Sequence, residues 1–303
     1  ALTLSLYMAW MQAGEVFAGK TYRVAVEPPT AVIYVDQLSA FLSLVFISVG
    51  LLSSIFSVGY LEERKQEFHP LLLAMVTGMV GVVFAGDLFT FFIFWEMMSI
   101  ASYLLVAFRY RAWEAVEASF KYLIMSAAGA AAILFGMSLL YGLAGTLEIS
   151  QLAAYLGNSK AADITWTYVA IAFLVTGFGV NAAMAPFHSW LPDAHPAAPS
   201  PISAMLSGVV IKTGIYAMYR VVFGVFPPSL FDWNIVLAVF AVLTMTVGNL
   251  LALMQEDIKR LLAFSSIAHI GYIVFGLSIA NVNGLAGGIF HVLNHALVKA
   301  LLF

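Results

Sequence analysis

The chain has 303 residues with 13 lysines and arginines, 16 aspartates and glutamates, and a formal net charge of −3. Charged residues make up 10% and hydrophobic residues 62%, with a mean hydropathy of +0.96, against roughly 25% charged in an ordinary soluble domain. That excludes a soluble globular protein, and the scattered basic residues exclude nucleic acid as a partner. There is no cysteine, so thiolate-held iron–sulfur clusters, covalent c-type haem and disulfides are impossible within these residues.

Stretches long enough to cross a bilayer as helices recur throughout. In chain order we expect the tail of one span at 1–11, then full spans near 38–60, 70–86, 88–107, 120–143, 166–185, 202–223, 233–254, 261–280 and 284–303. None shows the alternation of a membrane β-barrel strand, as LSAFLSLVFISVGLLSSIF illustrates. The polar connection 12–37 contains Glu27, Pro28 and Pro29 between YRVAV and AVIYV, which alternate and predict a small hairpin outside the bilayer. The amphipathic stretch 144–165 is expected to lie along the interface. No cleavable signal peptide is visible. Because both ends fall inside apolar runs, the chain reads as an internal portion of a longer membrane subunit, a single transmembrane domain over 1–303. Arg64, Lys65, Arg109, Arg111, Lys121, Lys259 and Arg260 fall on one side, against Lys20, Arg23, Lys160 and Arg220 on the other. The richer side is expected in the cytoplasm.

The ionisable residues inside spans are the informative ones. Glu96 lies near the middle of LFTFFIFWEMMSIASYLLVA and Lys212 near the middle of ISAMLSGVVIKTGIYAMYRVVF. Facing lipid, each would cost about 3 kcal/mol or more, so each should face the bundle interior, a partner charge or water. One reading is a structural ion pair between them. The other is a proton relay, because burial disfavours charged forms and lets acids and amines exchange protons near neutral pH. In the last span His291, His295 and Lys299 follow one another at four-residue intervals and so share one helix face. Neighbours on one face cannot grip a haem ring from both sides, which favours a proton wire over b-type haem. Asn294 beside them reads as an interhelical hydrogen-bonding residue.

Residues 186–201 carry five prolines in sixteen positions, Pro186 and Pro192 among them, and cannot form a continuous helix. Broken helices of this kind mark ion sites in transporters. His188, Asp193 and His195 lie in this break, at a spacing that matches no metal motif, and read as loop and helix-end hydrogen-bonding residues; no metal is expected. Thr176, Thr213, Ser265, Ser266 and Tyr272 are candidates to bridge charged groups. The glycines at 284 and 288, and the small-residue face from Gly129 to Gly136, read as close helix contacts.

Four segments, DLFTFFIFWEMMSIASYLLVAFRYR, VNAAMAPFHSWLPDAHPAAPSPISAMLSGVVIKTGIYAMYR, QEDIKRLLAFSSIAHIGYIVFGL and HVLNHALVKALLF, follow one another in this order. Together they resemble the antiporter-like membrane subunits shared by respiratory complex I, Mrp-type cation/proton antiporters and group 4 membrane-bound hydrogenases. The resemblance covers about residues 38–303, and AHPAAPS looks most like the hydrogenase branch. It implies an all-α polytopic bundle within an inverted-repeat fold of about fourteen spans. This chain would supply the third to eleventh spans and the end of the second, leaving the C-terminal repeat incomplete.

Carried across, Glu96 matches the glutamate of the fifth span and Lys212 the central lysine of the eighth. His291, His295 and Lys299 match the histidine and lysine positions of the eleventh. The family's usual lysine of the seventh span is replaced by Asn181, which cannot titrate. The resemblance implies a subunit passing protons, with sodium ions as a second candidate, within an integral complex of a prokaryotic cell membrane. It would hold no cofactor and perform no bond chemistry alone. Its expected partners are lipid, further antiporter-like subunits and a peripheral electron-transfer arm. The rival reading is a scaffold that has lost transport because of Asn181. A quinone- or haem-binding carrier finds no support in the sequence.

Overall fold

A computed structural model of the chain describes residues 1–26, 31–157 and 163–303. Glu27, Pro28, Pro29 and Lys160 lie outside the described residues. The elements run α1 (Leu2–Phe17), β1 (Tyr22–Val26), β2 (Ala31–Val35), α2 (Gln37–Tyr60), α3 (Lys65–Phe84), α4 (Leu88–Val106), α5 (Trp113–Ala144), α6 (Ile149–Leu156) and α7 (Ile164–Asn181). They continue with α8 (Trp190–Ala197), α9 (Ser200–Met205), α10 (Ile211–Ala217), α11 (Trp233–Leu253), α12 (Ile258–Ser278) and α13 (Val282–Leu302). Among the described residues nine helical segments are long and apolar enough to span a membrane, and each overlaps one expected span. α9 and α10 belong to one of them, Ser200–Phe223, the only one whose most apolar stretch is buried throughout. α2, α3, α7, α12 and α13 pack around it, so the core of the bundle is this helix.

Two expectations need correction. α1 runs on to Phe17, where a polar connection was expected from residue 12, because Ala13 and Val16 pack with Val35 and Ala40. α5 starts at Trp113 and carries Glu117 and Lys121 as an ion pair one turn apart at 2.9 Å, a charged turn that hydropathy alone places in a loop. The proline-rich stretch 186–201 is not one continuous helix, as expected, though it is helical in part. The chain leaves helix at 182–189, but α8 then forms with Pro192 at its third position, where the missing N–H would have had no helical partner, and Pro196 one residue from its end.

The strands pair antiparallel, Tyr22 opposite Val35 and Val26 opposite Ala31. The hairpin is tied to the bundle by Gly86 N–H to the Val32 carbonyl at 2.7 Å and Val32 N–H to Asp87 Oδ2 at 2.8 Å. Asp87 also caps α4 through Thr90 N–H at 2.8 Å. The Ile149 N–H bonds the Gly86 carbonyl at 3.1 Å, and Arg23 pairs with Glu148, which draws α6 onto the same end. Gly248 of α11 sits where a Cβ would lie 2.5 Å from the Ala268 backbone nitrogen of α12, so only glycine lets these helices approach so closely. Gly284 faces α12, and Gly129 and Gly136 face α7, all within the chain.

The basic residues gather at opposite ends of α2. At its Tyr60 end Arg109 bonds the Tyr60 hydroxyl at 2.9 Å and Arg64 the Phe108 carbonyl at 3.1 Å. At the other end Asp36 caps the helix and accepts both Arg220 amino groups, at 2.7 and 2.8 Å. Burial works to raise Asp36, but the Arg220 guanidinium and the Ser39 bonds hold it below its usual range. A lowered carboxylate stabilises the fold fully above its unfolded value, about 4, and less as pH falls through the folded value. Thermal unfolding of the assembled complex should therefore show a stability gap between native chain and Asp36→Asn at pH 7 that closes in acid; a gap that stays constant with pH would contradict the pairing.

Candidate functional site

Lys212 lies in α10 between two π-helical segments, Leu206–Val210 and Met218–Phe223. The Ile211 N–H reaches back five residues to the Leu206 carbonyl, the wider winding that π turns impose. Lys212 is 1% exposed, and its ammonium donates to the Ser207 carbonyl. From Ser207 a polar run crosses to the neighbouring helices. The Ser207 and Ser266 hydroxyls are 2.5 Å apart, and Ser266 donates to the Leu262 carbonyl at 2.8 Å, so the Ser207 hydroxyl is the donor to Ser266. The same Leu262 carbonyl accepts the Lys299 ammonium at 3.0 Å. Two buried lysines on different helices are thus joined through two hydroxyls and two carbonyls.

The α13 stripe faces α12. His295 is buried, with neither ring nitrogen hydrogen-bonded among the described residues, and its ring centre is 4.9 Å from that of His269. His269 Nδ1 lies 2.9 Å from His291 Nε2, and Tyr272 stands edge-on to both of those rings. His269 was not singled out from the sequence. The signal existed, an ionisable residue inside an apolar span, but its pairing with α13 depends on how two helices cross.

Glu96 and Asn181 occupy another part of the bundle. Oε1 of Glu96 and Oδ1 of Asn181 are buried without a hydrogen-bond partner among the described residues. The neighbouring Trp95, with Phe91, packs its ring on Phe178, one turn before Asn181. Among the described residues neither Glu96 nor Lys212 forms an ion pair, so the structural pairing of the two is not how this fold holds them.

The break after α7 is closed by side chains from around it. Trp190 Nε1 donates to the Val180 carbonyl at 2.8 Å, and Ala185 N–H to the Thr244 hydroxyl at 3.1 Å. Trp190 stacks on Tyr122 at 4.0 Å. Pro186 is exposed at the turn and Pro192 is buried in α8. His188 lies edge-on to Phe264, and His195 is fully buried with its ring stacked on Phe303 at 4.3 Å. Asp193 instead accepts Lys121 at 2.9 Å and Arg260 at 2.8 Å. Among the described residues no three acidic or histidine side chains are grouped to hold a metal. Lys259 reaches the same region, donating to the Ala198 carbonyl at 2.9 Å and the Ser203 hydroxyl at 3.3 Å.

Residues 85–303 match the family described as NADH:quinone oxidoreductase/Mrp antiporter, transmembrane region. The chain belongs to this family. NADH-quinone oxidoreductase subunit N of Trichlorobacter lovleyi is 34% identical over 301 residues, 97% of this chain and 62% of the relative. F(420)H(2) dehydrogenase subunit N of Methanosarcina mazei is 38% identical over 268 residues, 88% of this chain and 54% of the relative. Among solved structures, a chain of the membrane-bound sulfane sulfur reductase, an archaeal respiratory membrane complex, superposes with a TM-score of 0.92 at 33% identity, covering 99% of this chain and 62% of that one. The chain therefore spans little more than half the length of these curated relatives. As an antiporter-like membrane subunit, it is an integral membrane protein of the cell membrane.

Proposed function

We propose that this antiporter-like chain carries protons through the membrane part of a respiratory or hydrogenase-type complex, with sodium ions as the second candidate cargo. It would work beside further antiporter-like subunits and under a peripheral electron-transfer arm, as one transmembrane domain. The line of transfer runs from Glu96 past Asn181 to Lys212, then to Lys299, His295 and His291. The break at Pro186, His188, Pro192 and His195 is its flexible joint. One observation carries this reading: the polar run Lys212, Ser207, Ser266, Leu262 carbonyl, Lys299 through an otherwise apolar core. The two carbonyls only accept, so water beside them would complete the transfer between the amines and hydroxyls; polar groups gathered in this way are costly to keep in a purely structural core.

The run is tested with Ser266→Ala, which removes the central hydroxyl and little volume. Ion transport by the assembled complex in proteoliposomes should fall several-fold while subunit composition stays unchanged. Unaltered transport would remove this run from the pathway.

The scaffold reading rests on Asn181, whose amide oxygen is buried and has no partner among the described residues, where a cation was expected.

A further inference from the structure

A cavity of about 540 Å³ lies at the Tyr60 end of α2, between the α2–α3 and α4–α5 connections. The membrane-spanning segments Gln37–Tyr60, Leu88–Arg109 and Trp113–Ala144 all end at these connections. Tyr110 and Trp113 are exposed there, as aromatic side chains are where lipid headgroups begin. The cavity therefore opens at headgroup depth.

Its walls carry both signs of charge. Arg64 holds a left-handed backbone conformation, φ 58°, which a residue with a Cβ adopts at a cost. Its guanidinium lies over the Phe108 and Tyr110 rings, at 5.1 and 4.6 Å, and spends its donors on the Phe108 carbonyl and on Glu67. Arg109 is oriented by one bond to the Tyr60 hydroxyl, which leaves most of its N–H donors unused among the described residues. Arg111, Glu62 and Glu63 line the same space, and among the described residues none of the three is in a hydrogen bond or an ion pair. Arginines with spare donors suit a phosphate, and free carboxylates beside them suit a cation carried by the same molecule. Apolar surface leads away from the mouth. Phe56 stacks on Tyr60 at 5.4 Å, Leu52 lies one turn further along the same helix face, and both are more than half exposed.

We propose that this cavity binds a membrane lipid with a phosphoethanolamine headgroup. Its phosphate sits on Arg109 and Arg111, its ammonium turns toward Glu62 and Glu63, and one acyl chain follows Tyr60, Phe56 and Leu52. The lipid ties together two connections of the bundle, and the assignment is independent of the route that ions take.

The test places the whole complex in vesicles that hold a trace of phosphatidylethanolamine with a photoreactive acyl chain, and reads the labelled peptides of this subunit by mass spectrometry. Label should concentrate on residues 52–60. Arg111→Gln alters a side chain on which no contact of the fold depends, and should lower that label about tenfold, the worth of one charge-assisted hydrogen bond, while label elsewhere on the subunit stays the same. Excess unlabelled phosphatidylethanolamine should compete about tenfold better than phosphatidylglycerol, which has the phosphate and no ammonium. Replacing both Glu62→Gln and Glu63→Gln should erase that preference. Inorganic phosphate should displace nothing. Displacement by it would make the occupant a free anion, and equal or better competition by phosphatidylglycerol would make the site one for phosphate alone. Label on 52–60 indifferent to Arg111→Gln would mean lipid resting on an exposed helix. Each of these three results overturns the proposal.

Discussion

Lys212→Met should leave the complex assembled and reduce its ion transport by about a hundredfold, the usual contribution of a positioned proton-transfer group. Methionine matches the lysine stem in length and flexibility, so the packing of a residue 1% exposed is largely kept. What disappears is the only titratable group on the central helix between Ser207 and Tyr216, and with it the donor to the Ser207 carbonyl. Lys212→Arg separates charge from proton exchange, because a guanidinium stays protonated and cannot release what it carries. Transport should be lost in both variants, measured as the gradient built in proteoliposomes under a fixed electron flux. Recovery in the arginine variant would mean that the position needs only a fixed positive charge.

The second large effect is expected at Asn181. A lysine introduced there would enter a buried position one turn beyond Phe178, whose ring packs on Trp95, the neighbour of Glu96. An added cation favours the carboxylate form of a nearby acid. If Glu96 takes part in transfer, Asn181→Lys should shift the pH dependence of transport, and Glu96→Gln should lower transport with assembly intact. In the double variant the pH shift should vanish, because glutamine has nothing to titrate. A scaffold predicts identical transport at every pH in all three. That outcome would remove the N-terminal half of the line from the pathway.

The spans were legible because a bilayer demands long apolar runs, and Ser200–Phe223 and its neighbours announce themselves by composition alone. The hairpin was legible from two alternating pieces that fall on β1 and β2. Ser266 was visible as a hydroxyl in a span, but its partner Ser207 was not, since fifty-nine residues separate them and only packing joins them. The π segments around Lys212 leave no mark in periodicity, because one wide turn shifts a helix face by less than the scatter of an all-apolar sequence. His269 shows the same limit, as its meaning lies in His291 and His295 across a helix crossing.

Asp193, on the short helix after the break, is held at once by Lys121 of α5 and Arg260 of α12. The three side chains are a quarter to a half exposed, so dissolved ions reach this clasp and weaken it within a Debye length of about 8 Å at physiological strength. In the Asp36–Arg220 clasp at the other end the carboxylate is as exposed, but its cation is better shielded, at 14%. The molecule is thus fastened by a more salt-sensitive buckle at one end and a less salt-sensitive one at the other, so rising ionic strength loosens the end at the break first.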